Sequence, residues 1–242
     1  MQDRYGHRIS YLRVSITDRC NERCTYCMPQ ELQEWLPREE ILTFEETLRL
    51  IRIAAELGVS KVRVTGGEPL TRRNIVHFIA QIPKISGIKS LGLSTNATLL
   101  ARQISPGKTM ATALREAGVQ SVNISLDTLD RDVYSQITGR DLHDQVLEGI
   151  DAAIAVGFDQ IKLNTVLMRG RNEDQLVPLI EFAASRNLIL RFIEMMPLST
   201  SVVLTGIISM KRSIKLREAA NSINGINWSS FRPRISTVFN LI

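Results

Sequence analysis

The chain has 242 residues, of which 30 are Lys or Arg and 25 are Asp or Glu, so its formal net charge is +5. Its 44% apolar and 23% charged residues are typical of a globular protein and exclude a disordered, collagen-like or low-complexity chain. No apolar run reaches the roughly 18 residues of a membrane span, and residues 1–11 lack the apolar core of a secretory signal. The net charge leaves an anionic partner, nucleic acid included, open.

Short strand-like runs alternate with amphipathic helical runs along the chain. The predicted strands are 11–17, 61–65, 90–95, 120–126, 160–167 and 188–194. The predicted helices are 43–57, 71–82, 108–117, a short one near 131, 141–156 and 173–185. Thr43 followed by Glu46 forms a capping-box pattern at the start of the first helix. Strands that alternate with helices predict a parallel sheet with right-handed crossovers.

Five of the six predicted strands are apolar on one face and polar on the other, and the sixth is ambiguous. A sheet covered by helices on both sides should be apolar on both faces. Because buried polar groups need partners, polar faces that converge indicate a cavity for a ligand. Between an open doubly wound sheet and a partial barrel, this favours an α/β fold with a partial six-stranded (βα)6 TIM-like barrel. A half-solvated sheet under one helical layer is the alternative.

The three cysteines of the chain, Cys20, Cys24 and Cys27, form a C-x3-C-x2-C pattern directly after the first strand. An odd number of cysteines this close together is not a disulfide framework, so a reducing compartment and a metal are expected. Three thiolates leave a tetrahedral zinc ion one ligand short, although His7 or His77 could supply the fourth. Three thiolates on a four-iron cluster leave one iron open to a small molecule. Three thiols without a metal are the remaining alternative.

The cysteine loop, with Tyr26 before its last cysteine, resembles that of the radical S-adenosylmethionine (SAM) superfamily. The segment Gly66-Gly67-Glu68-Pro69 at the end of the second strand could be an ordinary tight turn, but after such a loop it is similar to the motif that binds the SAM amino group. The resemblance implies one [4Fe-4S] cluster on the three cysteines and SAM on its open iron. It also implies reductive cleavage of SAM to a 5′-deoxyadenosyl radical that abstracts a hydrogen atom.

Further segments are similar to the GTP 3′,8-cyclase family of molybdenum cofactor biosynthesis, in the same order over about residues 5–198: 12–20, 27–29, 63–70, 94–96, 123–127, 137–139, 162–166 and 191–197. In that family the radical takes a hydrogen from the GTP ribose C3′, and C3′ then attacks guanine C8. The resemblance implies that SAM is bound by Tyr26, Gly67, Glu68, Ser125 and Met196. It implies that GTP is bound by Arg13, Arg63, Ser94 and Lys162, of which the three cations also fall on predicted polar strand faces.

The resemblance ends near residue 198. Family members hold a second iron–sulfur cluster on three further cysteines and usually end in Gly-Gly, and neither feature occurs in this sequence. We therefore expect a core domain at 1–198 and a divergent tail at 199–242, from a splice variant or shifted reading frame, with weak or absent GTP turnover. A divergent functional tail, a non-catalytic regulatory homologue, and a zinc or nucleic-acid-binding module are the alternatives. Two smaller departures are Glu22, where the family has an apolar residue, and Ala97, where a glycine is usual.

The expected partners are GTP and an electron donor such as flavodoxin or ferredoxin, with a homodimer possible and neither a membrane nor a nucleic acid involved. The expected location is the cytoplasm, or the mitochondrial matrix in a eukaryote. Residues 199–242 contain six Lys or Arg and one acid, so the whole net charge lies in the tail. The sign of the net charge therefore carries no information about the partner of the core.

Overall fold

The computed structural model describes residues 2–27 and 35–194. Six strands form one parallel sheet: β1 (Tyr11–Ser15), β2 (Lys61–Thr65), β3 (Ser90–Thr95), β6 (Ser121–Ser125), β7 (Gln160–Leu167) and β8 (Ile189–Glu194). Two short strands, β4 (Gln103–Ser105) and β5 (Lys108–Thr109), form a separate antiparallel pair. The strand order of the large sheet is β1-β2-β3-β6-β7-β8, which confirms the predicted α/β class with parallel strands.

Six α-helices connect these strands: α1 (Phe44–Glu56), α2 (Ile75–Ile79), α3 (Met110–Glu116), α4 (Arg131–Thr138), α5 (His143–Ala155) and α6 (Leu176–Ser185). The capping box predicted for α1 is present, since Thr43 Oγ1 accepts a hydrogen bond from Glu46 N and Glu46 Oε2 accepts one from Thr43 N. Among the described residues, no helix combines the length and the apolar character needed to cross a membrane.

Three predicted helices are shorter in the structure. The helix predicted at 71–82 is only α2, because Asn74 has a left-handed φ of 58° before it and Pro83, which has no N–H, follows it within a 3-10 turn. The helix predicted at 108–117 starts at Met110, since the two residues before it belong to β5. The helix predicted at 173–185 starts at Leu176, after a 3-10 turn. The strands β4 and β5 thus form a small antiparallel hairpin that leads into α3.

One face of the sheet packs beneath the helices and forms the core. The fully buried strand residues on this face are Val62, Val64, Leu91, Leu93, Val122, Ile124 and Leu163. Burial of each such side chain contributes about 1.5–3 kcal/mol of hydrophobic stabilisation. The core therefore fixes which face of each strand is turned away from the helices.

The register shows that the polar positions share the opposite face. Arg13 pairs with Arg63, which pairs with Gly92 on β3. Likewise, Asn123 pairs with Lys162. The sixth strand, left ambiguous by its sequence, adds a cation, because Arg191 pairs with Asn164, a polar-face residue of β7.

The sheet is strongly curved. In a flat sheet the edge strands β1 and β8 would be about 24 Å apart, at about 4.8 Å per strand. Tyr11 on β1 nevertheless lies close enough to Arg191 on β8 to act on its pKa, which burial and Arg63 lower and Tyr11 raises. The polar faces of the six strands thus converge on one concave surface, as the barrel hypothesis requires.

Candidate functional site

The cysteine loop follows β1 at the carboxyl end of the sheet, with Cys20 and Cys24 half-buried and Cys27 exposed. Burial raises the pKa of all three thiols, that of Cys20 to about 11, and the Glu22 carboxylate adds to the rise at each of them. Within the described ranges, no three His, Cys, Asp or Glu side chains are grouped as ligands of a single metal ion. A four-iron cluster would bind each of the three thiolates through a different iron.

The two glycines after β2 fit against the backbone of the cysteine loop. Gly67 N donates to Thr17 O at 2.7 Å, and Glu68 N donates to Arg19 O at 2.8 Å. A Cβ atom on Gly67 would lie 2.4 Å from Arg19 O, far inside van der Waals contact. The sequence had suggested that these glycines admit a ligand. In the structure, the absence of side chains at these glycines allows the backbone that leads to the cysteines to pack directly against them.

The Glu68 side chain joins the ends of β2 and β3 and is 1% exposed. Its Oε1 accepts hydrogen bonds from Leu70 N and Thr95 Oγ1, and its Oε2 accepts one from Asn96 N at 2.7 Å. Burial raises the pKa of Glu68 to about 7, although these hydrogen bonds oppose the rise. Three of its roughly four acceptor positions are therefore used within the protein. Glu68 thus acts as a structural clamp that holds the ends of β2 and β3 together.

Ala97 follows this clamp with a φ of 66°. This is the left-handed turn expected where the family has a glycine, and an alanine pays a steric cost there.

Tyr26 in the cysteine loop reaches β6, where its hydroxyl donates to Asp127 Oδ2 at 2.7 Å. Asp127 Oδ1 accepts from Val166 N at 2.8 Å. Burial raises the pKa of Asp127 to about 6, and the two hydrogen bonds lower it. Sequence reasoning did not assign Asp127 to the site. Its signal was a polar residue just past the carboxyl end of a strand, where folds of this type build their sites.

Ser125 ends β6 and is exposed at the same edge as the cysteine loop. Met196, the other residue assigned to SAM by resemblance, lies outside the described residues, as does the tail at 199–242. The carboxyl ends of β1, β2 and β6 thus bring together the cysteines, the Gly-Gly-Glu segment and Ser125.

Arg63 lies across the polar face and bridges three neighbouring strands. Its Nε donates to Tyr11 Oη at 3.0 Å, its Nη1 to Leu93 O at 2.8 Å, and its Nη2 to Ser121 Oγ at 3.0 Å. Gly92 lies directly under the guanidinium, since a Cβ atom there would be 2.7 Å from Arg63 Cζ. Glycine at this position is therefore what allows Arg63 to lie flat over the sheet.

Lys162 and Arg191 extend the cationic surface. The pKa of Lys162 is lowered to about 8 by burial and by the nearby Arg191 and Arg63. Arg13 is exposed on the same face of β1, and Ser94 is half-buried on that of β3. All four residues assigned to GTP therefore share one face, and Arg191, missed from the sequence, joins them.

Several polar atoms on this face lack partners. Asn123 Oδ1, Asn164 Oδ1 and Arg191 Nε are buried and form no hydrogen bond within the part of the chain that the structure describes. Buried polar atoms in proteins are nearly always satisfied by protein, water or ligand. The face therefore fits a polar, anionic ligand with both donors and acceptors.

The chain is similar in sequence to known proteins. Residues 14–183 match the sequence profile of the Radical SAM superfamily. The chain is 47% identical over 200 residues to the GTP 3′,8-cyclase of Ectopseudomonas mendocina, covering 83% of this chain and 58% of that protein. It is 43% identical over 206 residues to the GTP 3′,8-cyclase of Petrotoga mobilis, covering 85% and 62%. The chain therefore spans about three fifths of the length of these relatives.

Among solved structures, the fold is similar to that of Streptococcus suis SuiB. The TM-score is 0.66 at 19% sequence identity, covering 94% of this chain and 48% of that one. An identity this low supports the shared fold and nothing more specific.

Proposed function

Because this chain belongs to the radical SAM superfamily, we propose that it is the core of a GTP 3′,8-cyclase of molybdenum cofactor biosynthesis. The observation that carries the proposal is the placement of the cysteine loop at the mouth of a concave sheet whose polar face holds Arg63, Lys162 and Arg191. A one-electron donor site thus adjoins a site suited to a polyphosphate. The named activity of the relatives, GTP 3′,8-cyclase, is the function that needs both.

Cys20, Cys24 and Cys27 hold one [4Fe-4S] cluster in this proposal. The donor set fits, since three thiols follow one another within eight residues and leave one iron without a protein ligand. When bound, the cluster and SAM supply a radical that removes the C3′ hydrogen of GTP before C3′ attacks guanine C8. The contribution of the protein is to fix both molecules and to keep water away.

The SAM-binding residues are Tyr26, Gly67, Glu68 and Ser125, together with Met196 outside the described residues. Asp127 fixes the orientation of the Tyr26 ring through its hydroxyl. Glu68 has one acceptor position left for the SAM amino group beyond the three hydrogen bonds it already accepts. Of these, Tyr26, Gly67, Glu68 and Ser125 lie at the carboxyl edge of the sheet, near the cysteines.

The GTP-binding residues are Arg13, Arg63, Ser94 and Lys162, to which the register adds Arg191. Arg63 already donates to three protein acceptors, so it presents a fixed positive charge rather than a free fork. Lys162, with its pKa lowered to about 8, is the cation most sensitive to a phosphate, because a nearby anion favours its protonated form. GTP binding near pH 8 should therefore be accompanied by proton uptake.

The core domain at 1–198 is proposed to bind the cluster, SAM and GTP, with residues 199–242 as a divergent segment. Its electron donor is a flavodoxin or ferredoxin, and a homodimer is part of the proposal. We further propose that GTP turnover by these 242 residues is weak or absent, because the three further cysteines expected from the resemblance do not occur in them.

The test is anaerobic reconstitution of the full chain with iron and sulfide, followed by metal analysis and by detection of 5′-deoxyadenosine after addition of SAM and a reductant, with and without GTP. About four irons per chain and 5′-deoxyadenosine are expected. Cys24→Ser should lose both. About eight irons would contradict the single cluster. Bound zinc with no 5′-deoxyadenosine would overturn the radical SAM function, and four irons without that product would favour the non-catalytic homologue.

A further inference from the structure

The cysteine loop contains a buried acid that the proposed chemistry does not use. Glu22 lies between the first two cysteines and is only 5% exposed. Its Oε1 accepts a hydrogen bond from the hydroxyl of Tyr134 on α4, and Tyr134 is itself 2% exposed. Asn96 supplies a second side-chain hydrogen bond to the Glu22 carboxyl. Because a buried polar group is destabilising unless it is hydrogen-bonded, Tyr134 is one of two partners that keep this acid satisfied.

Glu22 also contacts two of the cysteines. Its backbone N–H donates to Cys20 Sγ at 3.4 Å, and its Oε2 accepts from Cys24 Sγ at 3.8 Å. In the iron-free loop, these contacts place Glu22 between the sulfur atoms of Cys20 and Cys24.

The backbone of the loop is attached to the same helix. Arg23 N donates to Thr138 O at 2.7 Å, and Thr25 N donates to Ile137 O at 2.9 Å. These carbonyls belong to the last turn of α4, where a helix has no partners of its own for them. Three hydrogen bonds, two from the backbone and one from Tyr134, thus tie residues 22–25 to one helix end.

We propose that the carboxyl end of α4 holds the cysteine loop in place. We also propose that Tyr134 is a positioning residue for the cluster ligands, acting through Glu22. The resemblance places an apolar residue at position 22, and such a residue could not accept the hydrogen bond from Tyr134. The Glu22–Tyr134 hydrogen bond is therefore a feature of this chain. The inference rests on the proposed function in one respect, that the three thiols bind a cluster. The arrangement of the loop itself can be tested without iron.

The experiment uses the full chain with Tyr134→Phe, the double variant Glu22→Met with Tyr134→Phe, and Tyr5→Phe as the matched control at a tyrosine that is 68% exposed. After anaerobic reconstitution, iron release to a chelator is followed through the visible absorbance of the cluster. Tyr134→Phe should release iron about tenfold faster, because it removes one of the two side-chain hydrogen bonds that Glu22 makes with Tyr134 and Asn96. The double variant should return to within about twofold of the unchanged chain, because replacing both partners by apolar groups removes the unpaired acceptor.

A second measurement separates positioning from general stability. In the iron-free chain, Tyr134→Phe should speed hydrogen exchange at the Arg23 and Thr25 amides by about tenfold while the amides of β3 and β6 stay protected, as expected for local opening. Glu22→Gln retains an acceptor for the Tyr134 hydroxyl, so it should leave these amides more protected than Glu22→Ala does.

Each result decides the inference. Iron release from Tyr134→Phe at the rate of Tyr5→Phe would overturn it, and so would a double variant as labile as the single one. If Tyr134→Phe does not fold, the double variant and the two Glu22 variants still decide the question. If the unchanged chain binds no iron, the proposed function fails, whereas the amide exchange still tests the attachment of the cysteine loop to α4.

Discussion

The packing of Gly67 against the cysteine loop gives the sharpest test of how this site is built. In Gly67→Ala the new Cβ would lie 2.4 Å from Arg19 O and 2.6 Å from Asp18 O. Relief requires a backbone shift of roughly 1 Å, since unstrained contacts lie near 3.5 Å. That shift would disrupt the hydrogen bonds from Gly67 N to Thr17 O and from Glu68 N to Arg19 O.

The expected cost follows from these two contributions. Overpacking of this kind costs about 1–3 kcal/mol, and each weakened hydrogen bond adds about 1 kcal/mol. We therefore expect a loss of about 3–5 kcal/mol, which lowers the Tm of a chain of this size by about 6–20 °C. Thermal unfolding of the iron-free chain, followed by circular dichroism, measures this loss without any contribution from SAM or cluster binding.

Gly157→Ala is the control. Gly157 has a φ of +68°, but a Cβ atom there would have no other atom within 4 Å, so alanine costs about 1 kcal/mol from backbone strain alone. If Gly67→Ala lowers Tm by no more than Gly157→Ala, the close approach of the two loops is not what requires glycine. A fall in iron binding at unchanged Tm would also refute the steric argument.

Burial raises the pKa of Glu68 from 4.5 to about 7, so the folded chain should lose about 3 kcal/mol of stability from this group as pH rises through that interval. Glu68→Gln should remove that loss. If urea unfolding showed the same change in the free energy of unfolding between about pH 5 and 7.5 for both chains, the assignment would be contradicted. Gly92→Ala should push the Arg63 guanidinium away, given its 2.7 Å Cβ–Cζ contact. It should weaken GTP binding about tenfold at unchanged SAM affinity, and unchanged GTP affinity in equilibrium binding would count against the role of Arg63. Arg191→Ala should weaken GTP binding and reduce its salt dependence, whereas Arg115→Ala, at an exposed pair with Asp159, should change neither.

The strand faces were the part of the fold that the sequence predicted best. Alternation such as that of Val62, Arg63 and Val64 depends only on the period of two of a strand, and the register confirms it. The helices were less predictable near special backbone positions. Asn74 adopts a left-handed φ of 58°, and no local pattern marks an asparagine in advance as the residue that delays a helix.

The site was predictable where one residue type carries the chemistry and unpredictable where a pair does. The cysteines stand out by their spacing alone. The structure places them at the carboxyl end of the sheet, and the cluster that they hold is a proposal. Asp127 and Tyr134 are polar residues whose roles depend on partners about a hundred positions away, Tyr26 and Glu22. Contacts of such long range are fixed by the packing of β6 and α4 against the loop. Arg191 escaped because its strand shows no clear alternation, and the face it occupies follows only from its pairing with Asn164.

The concave cationic surface has a consequence for stability as well as for binding. Folding brings Lys162, Arg191 and Arg63 together, and burial, with repulsion from the two arginines added to it, lowers the pKa of Lys162. A nucleotide that binds only the folded chain opposes this repulsion, and at 100 times its Kd it adds about 2.7 kcal/mol to the free energy of unfolding. In the proposed function, the nucleotide would therefore also stabilise the native state, and the folded population would depend on the nucleotide concentration.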